Sequence, residues 1–148
     1  MQTEKVHAEV SIKASINKVF DFVTNPNNIP LTLPGLIENT DVPELPVKKG
    51  DKFNFKYKMA GIIIEGTVEV DEIESPTTYN FSTSIGITSH WKEQLSENDG
   101  MTNLVLDVEY EAPESLFEKI KLDVAKQTNQ KEAEQFLQNI KLALELNS

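Results

Sequence analysis

The sequence predicts an α+β fold in which a curved antiparallel sheet of six to seven strands wraps around a long C-terminal helix. Apolar and polar residues alternate over several stretches between positions 6 and 110, which is the period of strands with one buried face. From Pro113 to Ser148 the apolar residues recur at helical spacing instead. Because a sheet with one apolar face needs a cover, we expect the C-terminal helix to lie against it.

The chain opens with a strand and short helices. Residues 6–12 alternate from Val6 onward, and Ser15 is a candidate N-cap of a short helix that ends at Asn25-Pro26. A proline-rich connection follows, and it carries more aliphatic residues than a solvated loop needs. These residues either fill the core or form a flexible lip over an opening. They are Ile29, Leu31, Leu33 and Leu36.

After an edge-like segment at 37–42, the chain contains a hairpin whose register can be predicted. A two-residue turn at Ala60-Gly61 fixes which side chains face each other. Both faces are then consistent, with apolar pairs inside and opposite charges outside. The inner pairs are Tyr57 with Ile64, Phe55 with Gly66 and Phe53 with Val68, and the outer pairs are Lys56 with Glu65 and Lys52 with Glu69.

Three further strands follow Ser75-Pro76. If residues 85–87 form a three-residue loop, Trp91 and Glu93 share the inner face with Tyr79 and Phe81. A turn at 97–100 leads into the last strand. With a loop of that length, Trp91 lies opposite Leu106 and Glu93 lies opposite Leu104.

The C-terminal third contains two apolar sets that point in different directions on one straight helix. Ser115 and Glu118 have the spacing of a capping box, so a helix is expected to begin there. We predict a break near 127–129, where Asn129, which has cap-like spacing with Glu132, could cap a second helix that runs to about Leu146. The alternative is one unbroken helix with two apolar faces.

Composition restricts the function. The 148 residues are expected to form one domain, 1–148, with 39% hydrophobic and 26% charged residues. The net charge is −10 and all 14 basic residues are lysine, so a role in nucleic-acid binding is not expected. The longest apolar run, 59–64, has six residues, which is too short to span a membrane.

The chain contains no cysteine, which excludes disulfides, thiolate nucleophiles and cysteine-ligated metals. The first residues lack the apolar core of a signal peptide, so we expect a cytoplasmic protein. We expect a monomer or a weak homodimer. His7 and His90 both fall on the outer face of the sheet, and no metal site or cofactor is predicted.

The order of the elements resembles the START-like, polyketide cyclase/dehydrase (SRPBCC) superfamily, which has the helix-grip fold. The resemblance covers nearly the whole chain and rests on short motifs in a fixed order. The Leu-Pro-Gly and GTVEV pieces are particularly similar to the carbon monoxide dehydrogenase G branch. The motifs are 14–20 (ASINKVF), Asn25-Pro26, Leu33-Pro34-Gly35, 65–70 (EGTVEV), Trp91 and 136–145.

This resemblance implies a cavity between sheet and helix that holds lipids, polyketides or other apolar molecules. The inward-facing side chains are mostly hydrocarbon and rings, which is the usual lining of an apolar ligand site. The same residues could instead fill a solid core. The candidate ligand-binding residues are Leu31, Leu33, Phe53, Phe55, Tyr57, Ile64, Val68, Tyr79, Phe81, Thr83, Ser89, Trp91, Glu93, Leu106, Val108, Phe117, Ile120 and Val124.

Glu93 is the one carboxylate whose position in the alternation points inward. If it is buried it should hold a proton, and it could then act as a general acid; if it lies near a strand end it could reach water.

Three hypotheses on function follow. The first is a non-catalytic binder with a cavity of several hundred Å3. The second is a cyclase or dehydratase that uses Glu93 with Tyr57 or Tyr79, and the third is a protein-binding accessory module.

Overall fold

A computed structural model describes residues 2–59, 61–85, 88–112 and 122–146. The described elements are seven strands, two α-helices and one 3-10 turn, Ile29–Leu31. In chain order the strands and helices are β1 (Gln2–Ile12), α1 (Ile16–Val23), β2 (Leu36–Thr40), β3 (Lys52–Met59), β4 (Ile62–Glu74), β5 (Thr78–Ser84), β6 (Thr88–Asn98), β7 (Met101–Ala112) and α2 (Leu122–Leu146).

The seven strands form one antiparallel sheet in the order β1-β7-β6-β5-β4-β3-β2. The connections between successive strands from β3 to β7 are only two or three residues long, and the last strand, β7, pairs with the full length of the first strand, β1. The long helix α2 packs mainly against β1. The predicted α+β architecture, a sheet gripping a C-terminal helix, is therefore confirmed.

The register of the β3–β4 hairpin agrees with the prediction at every pair. Met59 pairs with Ile62, so the connection is the two residues 60–61. On the outer face Lys56 and Lys52 lie 3.5 Å from Glu65 and Glu69, respectively. The sequence specified this register because the apolar face and the charged face independently require the same alignment.

The β5–β6 register is also as predicted, with Phe81 opposite Trp91 and Tyr79 opposite Glu93. The predicted register of β6 with β7 is wrong by two residues. Trp91 lies opposite Val108, and Glu93 lies opposite Leu106. The turn is shorter than expected, because it comprises only Asp99 and Gly100.

Both residues of this turn have positive φ angles, 51° at Asp99 and 80° at Gly100. An Asp-Gly pair suits such a two-residue turn, in which both central residues must adopt left-handed conformations. β6 therefore continues for two residues, to Asn98, beyond the start of the predicted turn.

The predicted break near 127–129 is wrong, because α2 is continuous from Leu122 to Leu146. The polar residues in this stretch find partners instead of ending the helix. Gln130 donates from Nε2 to the carbonyl oxygen of His7 at 2.8 Å, and Asn129 is buried. The predicted helix start at Ser115 lies outside the described residues.

The segment between α1 and β2 is divided between core and surface. Ser15 caps α1 as predicted, because its Oγ accepts from the backbone N–H of Lys18 at 3.4 Å. Leu33 and Leu36 are buried, whereas 78% of Leu31 is exposed. In this proline-rich segment Leu33 and Leu36 therefore fill the core, whereas Leu31 faces solvent.

The main core lies between α2 and the β1 side of the sheet. Phe136, Leu137 and Ile140 of α2 are buried there with Leu104 and Leu106 of β7. Since α2 lies to one side, it covers the inner face of β3 to β6 less completely.

Within the described residues, no helix is long and apolar enough to cross a membrane.

Candidate functional site

A cavity with a free volume of about 80 Å3 lies over the inner face of β3 to β6. Its far wall comprises Phe136 of α2 and residues of the segment between α1 and β2. The alternation of the strands points these residues to the same side of the sheet. Most of the side chains predicted as ligand-binding line it: Leu33, Phe53, Phe55, Tyr57, Ile64, Val68, Tyr79, Phe81, Thr83, Ser89, Trp91 and Glu93.

Three predicted residues lie elsewhere. Leu31 is exposed to solvent, because the 3-10 turn directs it away from the sheet. Leu106 and Val108 point to the inner face but are buried in the core and do not line the cavity. Phe117, Ile120 and the side chain of Val124 lie outside the described part of the chain.

Several lining residues were missed by the sequence analysis. Tyr110 continues the inward alternation of β7, and Phe136 belongs to the apolar set of α2, so both had a signal in the sequence. No pattern in the sequence pointed to Asn39, which lies on the edge strand β2. The missed residues are Val23, Pro26, Ile29, Leu36, Asn39, Met59, Tyr110 and Phe136.

Four aromatic rings pack against one another along one wall of the cavity, around Trp91. Phe81 stacks on Trp91 with ring centroids 5.3 Å apart, and Tyr79 lies 5.1 Å from Phe81. Trp91 also forms T-shaped pairs with Tyr110 and Phe136, with ring centroids 6.3 Å apart in each pair. These separations are those of favourable aromatic pairs. The tryptophan is therefore held between the sheet and α2.

Two hydroxyl groups at this wall are already hydrogen bonded within the protein. Ser89 Oγ accepts from the indole Nε1 of Trp91 at 2.9 Å. It also lies 2.6 Å from Thr83 Oγ1. These bonds orient the indole ring and reduce the hydrogen-bonding capacity that Ser89 can offer to a ligand.

Glu93 is buried beside the rings, with only 1% of its surface exposed. Its Oε1 atom has no hydrogen-bond partner among the described residues. Burial raises the pKa of this carboxyl group to about 8, because water no longer stabilises the charged form. The inward position predicted from the sequence is correct, and the alternative in which Glu93 reaches water is wrong.

Of the two tyrosines predicted to partner Glu93, Tyr79 lies directly across from it on β5. Burial raises the pKa of Tyr79, and the nearby Glu93 carboxyl group raises it further. Tyr57 has a different partner. Its hydroxyl donates to Oε1 of Glu132 on α2.

Glu132 joins three elements at the side of the cavity. Its Oε2 accepts from the backbone N–H of Gly35 at 2.7 Å, while Lys58 of β3 donates from its backbone to the Gly35 carbonyl oxygen at 2.7 Å. A Cβ atom on Gly35 would lie 2.5 Å from Glu132 Oε2 and 2.7 Å from the Tyr57 ring. This close approach explains the glycine. We refer to Gly35, Tyr57 and Glu132 as the side latch.

Burial raises the pKa of the Glu132 carboxyl group, although the hydrogen bonds from Tyr57 and Gly35 oppose this change. Burial is also the main cause that raises the pKa of Tyr57, and the nearby Glu132 carboxyl group raises it further. Sequence analysis missed Glu132 because its spacing from Asn129 resembled a helix cap.

Among the described residues, no group of acidic and histidine side chains could hold a metal ion.

Residues 3–145 match a family model described as polyketide cyclase / dehydrase and lipid transport. The chain belongs to this family. The superfamily resemblance predicted from the sequence is thus confirmed, and the family and fold support a hydrophobic ligand-binding architecture. The closer similarity to the carbon monoxide dehydrogenase G branch stays a prediction.

Solved structures share the fold at low sequence identity. A START superfamily protein from Mycobacterium smegmatis is 11% identical with a TM-score of 0.79, covering 97% of this chain and 99% of its own. The Zhui aromatase/cyclase from a Streptomyces species is 14% identical with a TM-score of 0.74, covering 97% and 94%. The Thermus thermophilus protein TTHA0849 is 15% identical with a TM-score of 0.79, covering 98% and 99%. No curated protein matches the chain.

Proposed function

We propose that the protein binds a small apolar or aromatic molecule in the cavity between the sheet and α2, without catalysing a reaction. The observation that supports this proposal most directly is the lining, which is almost entirely hydrocarbon and aromatic. Such a lining with a few polar groups is typical of sites for apolar ligands. The cytoplasmic location and the oligomeric state expected from the sequence stay predictions.

The free volume limits how a ligand can enter. At about 80 Å3 it is smaller than the several hundred Å3 expected for a binder of this class. Phe55 and Phe81 are only partly buried, so their rings have room to move. A ligand of one or two rings therefore requires these side chains to shift, and binding should change the surroundings of Trp91.

Trp91 makes this proposal testable, because it is the single tryptophan of the chain and lines the cavity. We expect the uncharged dye N-phenyl-1-naphthylamine to bind saturably and to change Trp91 fluorescence. Val68→Phe, which fills the cavity, should weaken binding, and Val68→Ala should not. Ile63→Phe, on the outer face of the same strand, is the matched control and should leave binding unchanged.

Circular dichroism would show that each variant is folded. Equal dye affinity in the Val68→Phe and Ile63→Phe variants would place the dye outside the cavity and contradict the proposal. If no apolar compound binds and none co-purifies in native mass spectrometry, the protein-binding accessory module becomes the better hypothesis.

One observation favours a catalytic alternative, a cyclase or dehydratase that uses Glu93. With a pKa of about 8, its carboxyl group holds a proton at neutral pH and could donate it to a bound substrate. Tyr79 lies across from it. However, no described tyrosine is hydrogen bonded to Glu93 Oε1, and Tyr57 is engaged by Glu132. We therefore rank binding above catalysis; turnover abolished in Glu93→Gln would reverse this order.

A further inference from the structure

The described lining of the cavity contains acidic side chains but no basic ones. Among the described residues, no lysine or histidine lines the cavity, and the chain contains no arginine. The ionisable side chains that do line it are acids, namely Glu93 and the hydroxyls of Tyr57, Tyr79 and Tyr110. This described lining therefore offers no positive charge to neutralise a negative ligand.

Among the described residues of the wall, Glu93 supplies the one buried side-chain polar atom that still lacks a partner. Its side chain is almost completely buried, lines the cavity, and leaves Oε1 without a hydrogen bond. A buried carboxyl oxygen without a partner is unfavourable. A ligand that places a hydrogen-bonding group beside Oε1 would remove this penalty, whereas Ser89 and Thr83 already bond to each other.

We propose that the cavity selects its ligand by charge: it takes an apolar molecule whose polar group is an amine or a hydroxyl bonded to Glu93, and it rejects the corresponding carboxylate. This proposal rests on the proposed binding function and specifies the class of ligand. A carboxylate would lose its hydration without gaining a counter-ion, and one hydrogen bond from the protonated Glu93 carboxyl group does not replace that counter-ion.

The aromatic wall is compatible with either a hydroxyl or an amine on the ligand. A hydroxyl can exchange a hydrogen bond with the protonated carboxyl group of Glu93, and no proton is released. An ammonium group would also be attracted to the faces of rings such as Trp91 and Phe81. Because Glu93 has a pKa of about 8, an ammonium ligand that binds at pH 7 pairs with the carboxylate and releases the Glu93 proton to solvent.

Three single-ring probes with one polar group each would test this selection: benzyl alcohol, benzylamine and benzoate. Binding is followed by Trp91 fluorescence at pH 7, and by calorimetry in two buffers of different ionisation enthalpy. We expect benzoate to bind about tenfold or more weakly than benzyl alcohol, a difference typical of one unpaired buried charge. Benzylamine should release close to one proton, and its affinity should rise as the pH approaches 8.

Glu93→Gln keeps the shape of the side chain and removes the titratable group. In this variant benzylamine should lose affinity and release no proton, because the amide cannot become an anionic partner for the ammonium group. Glu97→Gln makes the same change at an exposed position on the same strand and should behave like the wild type. The comparison among the three probes in the wild-type protein does not depend on either variant.

The outcomes separate the two proposals. Benzoate binding as tightly as benzyl alcohol would overturn charge selection while leaving the binding function in place. Benzylamine affinity and proton release that Glu93→Gln does not alter would overturn the assignment to Glu93. Failure of all three probes, together with failure of the naphthylamine dye, would overturn the binding function itself and this inference with it.

Discussion

Glu93 couples the stability of the protein to pH. In the folded chain burial raises its pKa from 4.5 to about 8, so between these values the folded state holds a proton that the unfolded state has released. Stability must therefore fall as the pH rises through this interval and level off above it. The fall amounts to roughly 1.4 kcal/mol per pH unit for a single group.

We predict that Glu93→Gln removes this dependence. Urea denaturation between pH 5 and 9 should show that the free energy of unfolding of the variant, relative to that of the wild type, increases by several kcal/mol as the pH rises. Glu97→Gln is exposed on the same strand and should track the wild type. Parallel curves for all three proteins would show that the Glu93 carboxyl group is not held protonated.

At the scale of elements, the side latch connects β3, the segment before β2 and α2. Tyr57 donates to Glu132, which also accepts from the backbone of Gly35. Tyr57→Phe removes the hydroxyl and leaves one oxygen of a largely buried carboxyl group without its donor. We expect a loss of about 1–3 kcal/mol in the free energy of unfolding. The pKa of Glu132 should rise further, because the hydrogen bond from Tyr57 opposes its increase.

The matched control is Tyr110→Phe. The Tyr110 side chain is buried in the same cavity wall and is not part of the side latch. Urea denaturation of both variants should show the larger loss for Tyr57→Phe. Equal losses would mean that the hydrogen bond to Glu132 contributes no more to stability than the hydroxyl of another buried tyrosine.

The same elements show what the sequence could predict. The β3–β4 register was predictable because a shift by one residue would expose the apolar face, and a shift by two would separate the charge pairs. For β6 and β7 a shift by two keeps every side chain on its face, so alternation could not distinguish a loop at 97–100 from the turn at Asp99-Gly100. Only the preference of Asp-Gly for a two-residue turn carried that information.

The helix break was predicted from local spacing, and the structure shows why this failed. Asn129 and Glu132 have the spacing of a cap, but Asn129 is buried and Glu132 bonds to residues about 75 and 97 positions away in sequence. Such partners belong to tertiary structure, and a local pattern cannot reveal them. The same fact explains why Glu132 was missed as a residue of the site.

At the scale of the whole molecule, the position of α2 decides how much of the inner face becomes cavity. Alternation predicted which strand residues point inward, and Trp91, with 8% of its surface exposed, does so. It could not predict that α2 packs along β1, which places Leu106 and Val108 in the core and leaves the β3–β6 side less covered. The free volume depends on that placement and on the rings that line it.

Phe136 is where the helix and the cavity meet, because it is buried, lines the cavity and packs in a T-shaped arrangement with Trp91. Phe136→Ala should cost about 3–5 kcal/mol in stability, since a buried ring is lost. It should also enlarge the cavity and tighten binding of N-phenyl-1-naphthylamine, measured by Trp91 fluorescence. Leu137→Ala removes an equally buried side chain of α2 that does not line the cavity, so it should lose about 2–5 kcal/mol without changing affinity. If both variants bind the dye alike, then contact between α2 and Trp91 does not set the size of the site.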